Sequence, residues 1–396
     1  MSETPRSDRP DDLCARPEFV DPGVTRPITP PIYLAAVYQC DDPTQAESML
    51  AGEQHGYVYS RDKHPNADVL AEKCRALHGA DHAMICGSGM SAITAGALAL
   101  VAAGEHVVVS DQIYGRTLQL FLQELARYGV ATTMVDTCDL SAVRAAMRPN
   151  TKLMVVETIT NPLLRVGDIA SLADICRQSK TVLMVDNTFA GPTICRPLEL
   201  GADLVVESLT KIMNGHSDVL LGMICGKTAV WPRVPTVSTI WGFSASPFDC
   251  WLAARGLGTL ALRIERASTN AQTAAEFLAG RPEVEKVFYP GLASHPDHAL
   301  AKRLFGDRFS HMVTFQLRGG RASAESFIHR AKQIPFCPSL GDLSTTLSHP
   351  ESTSHRTMTA ERRAALGITG GTIRLSVGIE SPAAVVEALA EGLRTT

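Results

Sequence analysis

Between residues 65 and 225 the hydrophobic pattern changes character repeatedly, short β-branched runs alternating with stretches of helical period. The runs fall at 83–86, 106–111, 131–136, 152–157, 181–186 and 204–208, with helical segments such as 118–127 and 140–147 between them. Strands that alternate with helices and are apolar along their length predict a mostly parallel sheet covered on both faces, an α/β fold. Five of the runs end on a polar residue, at Asp111, Asp136, Glu157, Asp186 and Ser208. Ligands of open α/β sheets bind beyond the carboxyl ends of the strands, so this edge is where chemistry is expected. Further on, Trp251, Leu252, Leu257, Leu260, Ile264 and Ala267 recur at helical spacing and predict one long helix over about 250–280. A smaller α+β segment follows, with strands expected at 312–317 and 372–377. Residues 1–60, with Pro27, Pro30 and Pro31, read as an extended arm. The expected division is an arm over 1–60, an α/β domain over 61–255 and a smaller C-terminal α+β domain over 256–396.

Composition narrows the partners. The 396 residues are 45% hydrophobic and 20% charged, enough for a large core, and 37 basic against 41 acidic side chains give a formal charge of -4. No basic tract points to nucleic acid or to an anionic membrane, and neither partner is expected. The ten cysteines, at 14, 40, 74, 86, 138, 176, 195, 225, 250 and 337, lack the paired spacing of a zinc site or redox motif. No metal is expected, and a reducing compartment is the simpler reading. With no apolar leader or long uncharged stretch, a soluble cytoplasmic protein is expected.

Gly87, Ser88, Gly89 and Met90 follow one strand and open the apolar run 92–101. A glycine-rich turn at a helix N-terminus presents unpaired N–H groups and suits a phosphate. Gly87, Gly89 and Ala92 also satisfy the dinucleotide fingerprint, with Asp111 where a ribose-binding acid would stand, so this turn alone leaves NAD, another phosphate or a plain packing turn open. Asp186 and Lys211, at or just past neighbouring strand ends, add a second element. A desolvated lysine can lose its proton and condense with an aldehyde, while a carboxylate keeps a pyridine nitrogen protonated. Pyridoxal 5'-phosphate (PLP) needs both.

The stretch from Ser208 through Thr210 and Lys211 to Asp218 follows the pattern S-x-T-K-x-x-x-G-H-S-D, and it resembles the cofactor-lysine motif of the Cys/Met-metabolism PLP enzymes. This family includes cystathionine γ-synthases, cystathionine β- and γ-lyases, methionine γ-lyases and O-acylhomoserine sulfhydrylases. The resemblance runs from about Pro27 to Glu380. It is supported by Tyr59 with Arg61, Ser88 to Met90, Tyr114 with Gly115, Glu157, Asn161 with Pro162, Asp186, Ser246 to Asp249, Arg255 to Leu260, Tyr289 to Leu292, Ser339 to Gly341 and Arg374. It implies the aspartate-aminotransferase-like fold type I. It further implies that Lys211 anchors the cofactor and shuttles protons, that Asp186 pairs with the pyridinium, and that Tyr114 stacks on the ring and exchanges protons near the leaving group. By the same resemblance Ser88, Gly89, Met90, Ser208 and Thr210 hold the phosphate from within the chain. Tyr59 and Arg61 reach it from a neighbouring subunit of a homotetramer built as a dimer of dimers. Arg374 binds the substrate α-carboxylate, a task suited to its bidentate fork, with Asn161 and Ser339 nearby and Glu157 supporting the site from behind.

The sequence departs from the family at several places. Arg116 stands where relatives commonly carry Gly or Cys, the usual downstream Arg is replaced by Leu118 and Gln119, and Pro338 precedes Ser339. Arg116 is therefore placed with the substrate-binding residues. His64, Pro65 and Asn66 replace the usual N-P-T, and Ser344, Thr345 and Thr346 replace Glu-Ser-Leu. The hydroxyls of 342–355, with His349 and His355, either line the distal pocket or decorate a loop. The expected reaction is γ-elimination from a homoserine-, methionine- or cystathionine-type L-amino acid, giving a 2-oxo acid and ammonia. The alternatives are γ-replacement, β-elimination, a cofactor-binding homologue without turnover and, resting only on Gly87, Gly89, Ala92 and Asp111, an NAD-dependent dehydrogenase.

Overall fold

In the computed structural model, residues 27–356 and 358–394 are described. The first part of the expected arm, 1–26, lies outside them, as does Cys14. The chain divides into two units, Met1–Pro31 and Ile32–Thr396. In the first, 27–31 are exposed and without regular structure.

Among the described residues, eleven strands form two sheets. The first contains β1 (His82–Cys86), β2 (His106–Ser110), β3 (Ala131–Val135), β4 (Thr151–Glu157), β5 (Val182–Asp186), β6 (Leu204–Ser208) and β7 (Gly222–Gly226), in the order β1-β7-β6-β5-β4-β2-β3. The block from β3 through β6 is parallel, whereas β7 runs antiparallel to both β1 and β6. The second sheet is antiparallel, in the order β10 (Thr346–Ser348), β11 (Thr372–Ser376), β9 (Met312–Leu317) and β8 (Val284–Phe288).

The apolar strands have two buried faces, and the period-2 alternation sorts their side chains cleanly. Met154 and Val156 of β4, Leu183 and Val185 of β5, and Val205 of β6 join the larger core on one side. Leu153, Val155, Met184, Leu204 and Val206 join the second core on the other. Both faces therefore need helical cover, which is why these runs read as continuously hydrophobic.

The structure corrects the sequence reading in four places. Within the arm read as extended over 1–60, Pro43–Leu50 is an α-helix. The long helix expected over 250–280 is two helices, Pro247–Gly256 and Leu260–Ala279, separated by a tight 3-10 turn at Leu257–Thr259. The helix expected over 118–127 is one α-turn at Gly115–Gln119, a wider π-turn at Leu120–Glu124 and a 3-10 turn at Leu125–Tyr128. Strands β7, β8 and β10 were not anticipated. The β7 strand is placed by close approach: Gly222 lies against the Ser88 carbonyl, where a side chain would collide with backbone. Among the described residues no helix is long and apolar enough to cross a membrane.

Candidate active site

The carboxyl ends of β4, β5 and β6 open into a cavity of about 520 Å³. Register places Glu157 opposite Asp186 and Asp186 opposite Val206, so these strand ends lie side by side. Of the five polar strand-end residues, Glu157, Asp186 and Ser208 line the cavity. Asp111 instead pairs with Arg362 at 3.2 Å, and Asp136 accepts from the backbone N–H of Cys138.

Ser88 caps the helix Gly89–Leu100, its hydroxyl accepting from the N–H of Ser91 at 3.0 Å. The first-turn N–H groups of Gly89 and Met90 have no intrahelical acceptor and lie at the cavity wall, where helix polarity favours an anion. Gly89 has to be glycine, because a Cβ there would sit 2.9 Å from the Ser208 Cβ. Ser208, in turn, is fixed by Thr188, whose Oγ1 accepts from the Ser208 N–H at 3.0 Å. The Thr210 hydroxyl donates to the Leu221 carbonyl and accepts from its N–H, at 3.2 and 3.1 Å.

Lys211 is largely buried, with Nζ donating to the Ser339 Oγ at 2.8 Å. Burial, assisted by the positive charge of Arg374, lowers its ammonium to about 8. The loop that carries it is held from below by Arg263, which donates to the Ile212, Met213 and Gly256 carbonyls at 2.5, 2.9 and 2.9 Å. Gly341, at φ +80°, packs directly on the backbone of Lys211 and Ile212 and so brings Ser339 to the amine.

Asp186 accepts from the Thr188 N–H at 3.0 Å, and burial raises its carboxyl to about 6. Neighbouring Glu157 is raised well above the usual carboxylate range, first by burial and then by the charge of Asp186. Its two oxygens accept from the N–H groups of Tyr114 and Asn161, at 2.8 and 3.0 Å. It thus braces the wall that carries Tyr114 and Asn161.

Arg374 stands on β11 and is 4% exposed. It donates to the Asn161 Oδ1 at 2.7 Å and to the Ser339 carbonyl at 3.3 Å, and lies 5.7 Å from the Phe189 ring centroid. Burial lowers its guanidinium only to about 10, so it remains charged at neutral pH. Its Nε is buried without a hydrogen-bond partner among the described residues, and the acid whose charge reaches it, Glu157, has its oxygens on the Tyr114 and Asn161 N–H groups. A buried cation without a counter-ion is costly, and a substrate carboxylate would offset that cost.

One cavity therefore collects Ser88, Gly89, Met90, Tyr114, Arg116, Asn161, Asp186, Ser208, Thr210, Lys211, Ser339 and Arg374. Tyr59 and Arg61 are not among its walls. Tyr59 bridges to Val37, and the Arg61 guanidinium rests 5.1 Å from the Tyr59 ring centroid. Arg116 is exposed at the cavity, with Nη1 on the Gln119 side-chain carbonyl at 2.8 Å. Of the two readings of 342–355, the pocket reading holds for Ser352, Thr353 and Ser354, which line the cavity together with Arg356. The rings of His349 and His355 are held by the Gly370 carbonyl and by Ser352 and Ser354. No metal-binding cluster occurs among the described residues. The sequence reading missed Arg356, Phe189 and the supporting Arg263.

The pocket suits PLP. A buried acid without a cationic partner, a helix N-terminus whose glycine admits no side chain and a desolvated lysine share one cavity. The fold agrees: a Campylobacter jejuni structure containing N'-pyridoxyl-lysine-5'-monophosphate matches with a TM-score of 0.90 at 29% identity, covering 93% of this chain and 96% of that one. This is the fold of the type I PLP enzymes. The family model described as "Cys/Met metabolism PLP-dependent enzyme" matches residues 15–394, and the chain belongs to that family. It is 41% identical over 366 residues to the L-methionine gamma-lyase of Porphyromonas gingivalis, covering 92% of each chain. It is 38% identical over 362 residues to the O-succinylhomoserine sulfhydrylase of Pseudomonas aeruginosa, covering 91% of this chain and 90% of that one. The cofactor is pyridoxal 5'-phosphate, and the chain is an enzyme of the γ-lyase and γ-synthase group. The dehydrogenase alternative falls with that membership, and the acid it required, Asp111, is engaged by Arg362.

Proposed function

We propose that this enzyme catalyses γ-elimination on an L-amino acid of the homoserine, methionine or cystathionine type, converting it with one water into 2-oxobutanoate, ammonia and the released γ-substituent. The observation that carries this reading is the placement of a desolvated amine, Lys211, in the same cavity as the unpaired guanidinium of Arg374. PLP supplies an aldehyde for the amine and a protonated ring that accepts the electron pair released at the substrate α-carbon. Lys211 would hold the cofactor covalently, and Asp186 would keep the ring nitrogen protonated. The first-turn N–H groups of Gly89 and Met90, with Ser88, Ser208 and Thr210, would receive the phosphate.

In this reading Arg374 and Asn161 orient the α-carboxylate, which turns the α-hydrogen towards the Lys211 amine. Lys211 takes that proton, moves it, and then takes one from the β-carbon so that the γ-substituent departs. An amine near pKa 8 suits both halves of the task, since it neither keeps nor loses its proton at large cost at neutral pH. Tyr114, at the cavity wall with its backbone fixed by Glu157, would give a proton to the leaving atom. Tyr59 and Arg61 would reach the phosphate of a neighbouring subunit, making a dimer the smallest active unit and a dimer of dimers the expected assembly. The exposed Ile240, Trp241, Phe248 and Leu262 offer apolar surface for such self-association.

A second reading, γ-replacement, rests on the nearly equal identity to the sulfhydrylase and the lyase. It needs only that a thiol or sulfide meet the substrate before water does. The test is a product assay on the purified holoenzyme with methionine, homocysteine, cystathionine and acylhomoserines, alone and with cysteine or sulfide. Release of 2-oxobutanoate without a thiol supports elimination. A thioether or thiol product in place of the 2-oxo acid supports replacement, and no 2-oxo acid from any substrate rejects the lyase reading.

A further inference from the structure

Arg374, Asn161, Ser339 and Lys211 account for the amino-acid end of the substrate. Another part of the wall is different. It is built from the turn at Tyr114, Gly115 and Arg116 and from the segment 352–356, and the two are docked: a Cβ on Gly115 would sit 2.8 Å from the Ser354 carbonyl oxygen. Two guanidinium-bearing residues, Arg116 and Arg356, therefore reach the cavity from adjoining backbone segments.

Neither of them is ion-paired among the described residues. Arg116 has only the neutral Gln119 carbonyl as its side-chain acceptor. The neighbouring arginines of the same region are supplied with acids, Arg362 with Asp111 at 3.2 Å and Arg363 with Glu351 at 3.7 Å. The acids of the cavity do not serve the two unpaired residues either. Glu157 is buried with its oxygens on the Tyr114 and Asn161 N–H groups, and Asp186 lies at the strand ends on Thr188.

The hydroxyls of this wall are already engaged by their own loop. The Ser352 hydroxyl meets His349 at 3.0 Å, the Thr353 hydroxyl donates to the His349 carbonyl at 2.8 Å, and the Ser354 hydroxyl meets the His355 ring at 2.8 Å. The cationic donors on this side are the two guanidinium groups, planar forks that match a carboxylate or a phosphate.

We infer that Arg116 and Arg356 form an anion-selecting rim, and that the preferred substrate is an L-homoserine derivative whose γ-substituent ends in an anionic group, such as a dicarboxylic-acid half ester. This inference rests on the proposed γ-chemistry for its substrate frame. The neutral thioether of methionine and the neutral acetyl ester of homoserine leave the rim unmatched. A cystathionine-like distal carboxylate would be accepted, with its distal ammonium set against two cations.

The test compares O-succinyl-L-homoserine with O-acetyl-L-homoserine on the holoenzyme, two esters that break the same bond and differ in a distal carboxylate. One readout is kcat/KM, scoring 2-oxobutanoate alone and thioether in the presence of a thiol. The other is equilibrium binding of each ester by calorimetry, with the Lys211→Ala variant as the host so that no turnover intervenes. A charge-assisted contact at a partly exposed rim predicts a preference for the succinyl ester of about tenfold or more in both readouts. Arg116→Gln with Arg356→Gln collapses that ratio, and high salt reduces it. Equal affinity for the two esters, or a ratio that survives the double substitution, overturns the rim. Absence of any product, with the binding preference intact, overturns the proposed reaction and leaves the rim standing.

Discussion

The Lys211 Nζ donates to the Ser339 Oγ at 2.8 Å across 128 residues of sequence, joining the loop after β6 to the segment that leads into β10. That contact ties the amine to the part of the chain that also engages Arg374, since the Ser339 carbonyl accepts from its Nη2 at 3.3 Å. The amine and the proposed α-carboxylate site therefore share one support.

The lowered Lys211 ammonium should set the pH dependence of cofactor uptake. Burial disfavours the charged amine and brings it to about 8, so below that value most of the apoenzyme carries the protonated form, which cannot attack an aldehyde. Uptake of PLP, followed by its visible absorption, should rise about tenfold per pH unit up to near 8 and level off above it. A rise that continues beyond pH 10 would place Lys211 in solvent rather than in the cavity.

Asp186 acts in the same direction at lower pH. Burial raises its apo carboxyl to about 6, and pairing with a protonated ring nitrogen favours the ionised form. PLP affinity should therefore weaken as pH falls through about 6, with Asp186→Asn weak across the whole range. Equilibrium titration of the apoenzyme at pH 5 to 8 measures this, and a flat profile in the parent enzyme would contradict the assignment.

Arg374→Lys keeps the charge but removes the fork that meets Asn161 and the Ser339 carbonyl. Loss of one charge-assisted hydrogen bond, about 1.5 to 3 kcal/mol, predicts a fall in kcat/KM of about tenfold to about 150-fold. PLP absorption should be retained. Loss of cofactor in this variant would move Arg374 from the substrate to the cofactor.

Gly89→Ala forces a methyl group against Ser208, 2.9 Å from its Cβ. The helix N-terminus must then retreat from β6, and the affinity for PLP should fall by about tenfold or more while far-ultraviolet circular dichroism is kept. Free pyridoxal, which lacks the phosphate, should lose little, and an equal loss for both would contradict phosphate binding at this turn.

Arg61 and Lys211 test the shared site. Inactive Lys211→Ala and cofactor-deficient Arg61→Ala chains, unfolded and refolded together, should recover activity in the mixed assembly, because one of its sites has both residues intact. No recovery in a confirmed mixed assembly would contradict supply from the neighbouring subunit.

Much of this site was legible in the sequence because strand ends announce themselves. The runs ending at Glu157, Asp186 and Ser208 are apolar on both faces and then turn polar, and the structure gathers all three at one cavity. β7 was hidden because its sequence, bounded by Gly222 and Gly226, is too short and glycine-rich to show periodicity, and its position depends on contact with Ser88 and Leu204. Arg263 reads as an ordinary helix arginine. Its role appears only when the turn at Leu257–Thr259 breaks the helix and leaves carbonyls for it to bind. Segment 352–356 offered a suggestive set of hydroxyls, yet these bond within their own loop, and the residue that distinguishes the wall is Arg356.

The most direct measurement is reduction of the PLP-loaded protein with borohydride, followed by peptide mass spectrometry. A phosphopyridoxyl adduct is expected on the peptide that contains Lys211, absent from the Lys211→Ala variant. An adduct on a different lysine, or none, would contradict Lys211 as the anchor.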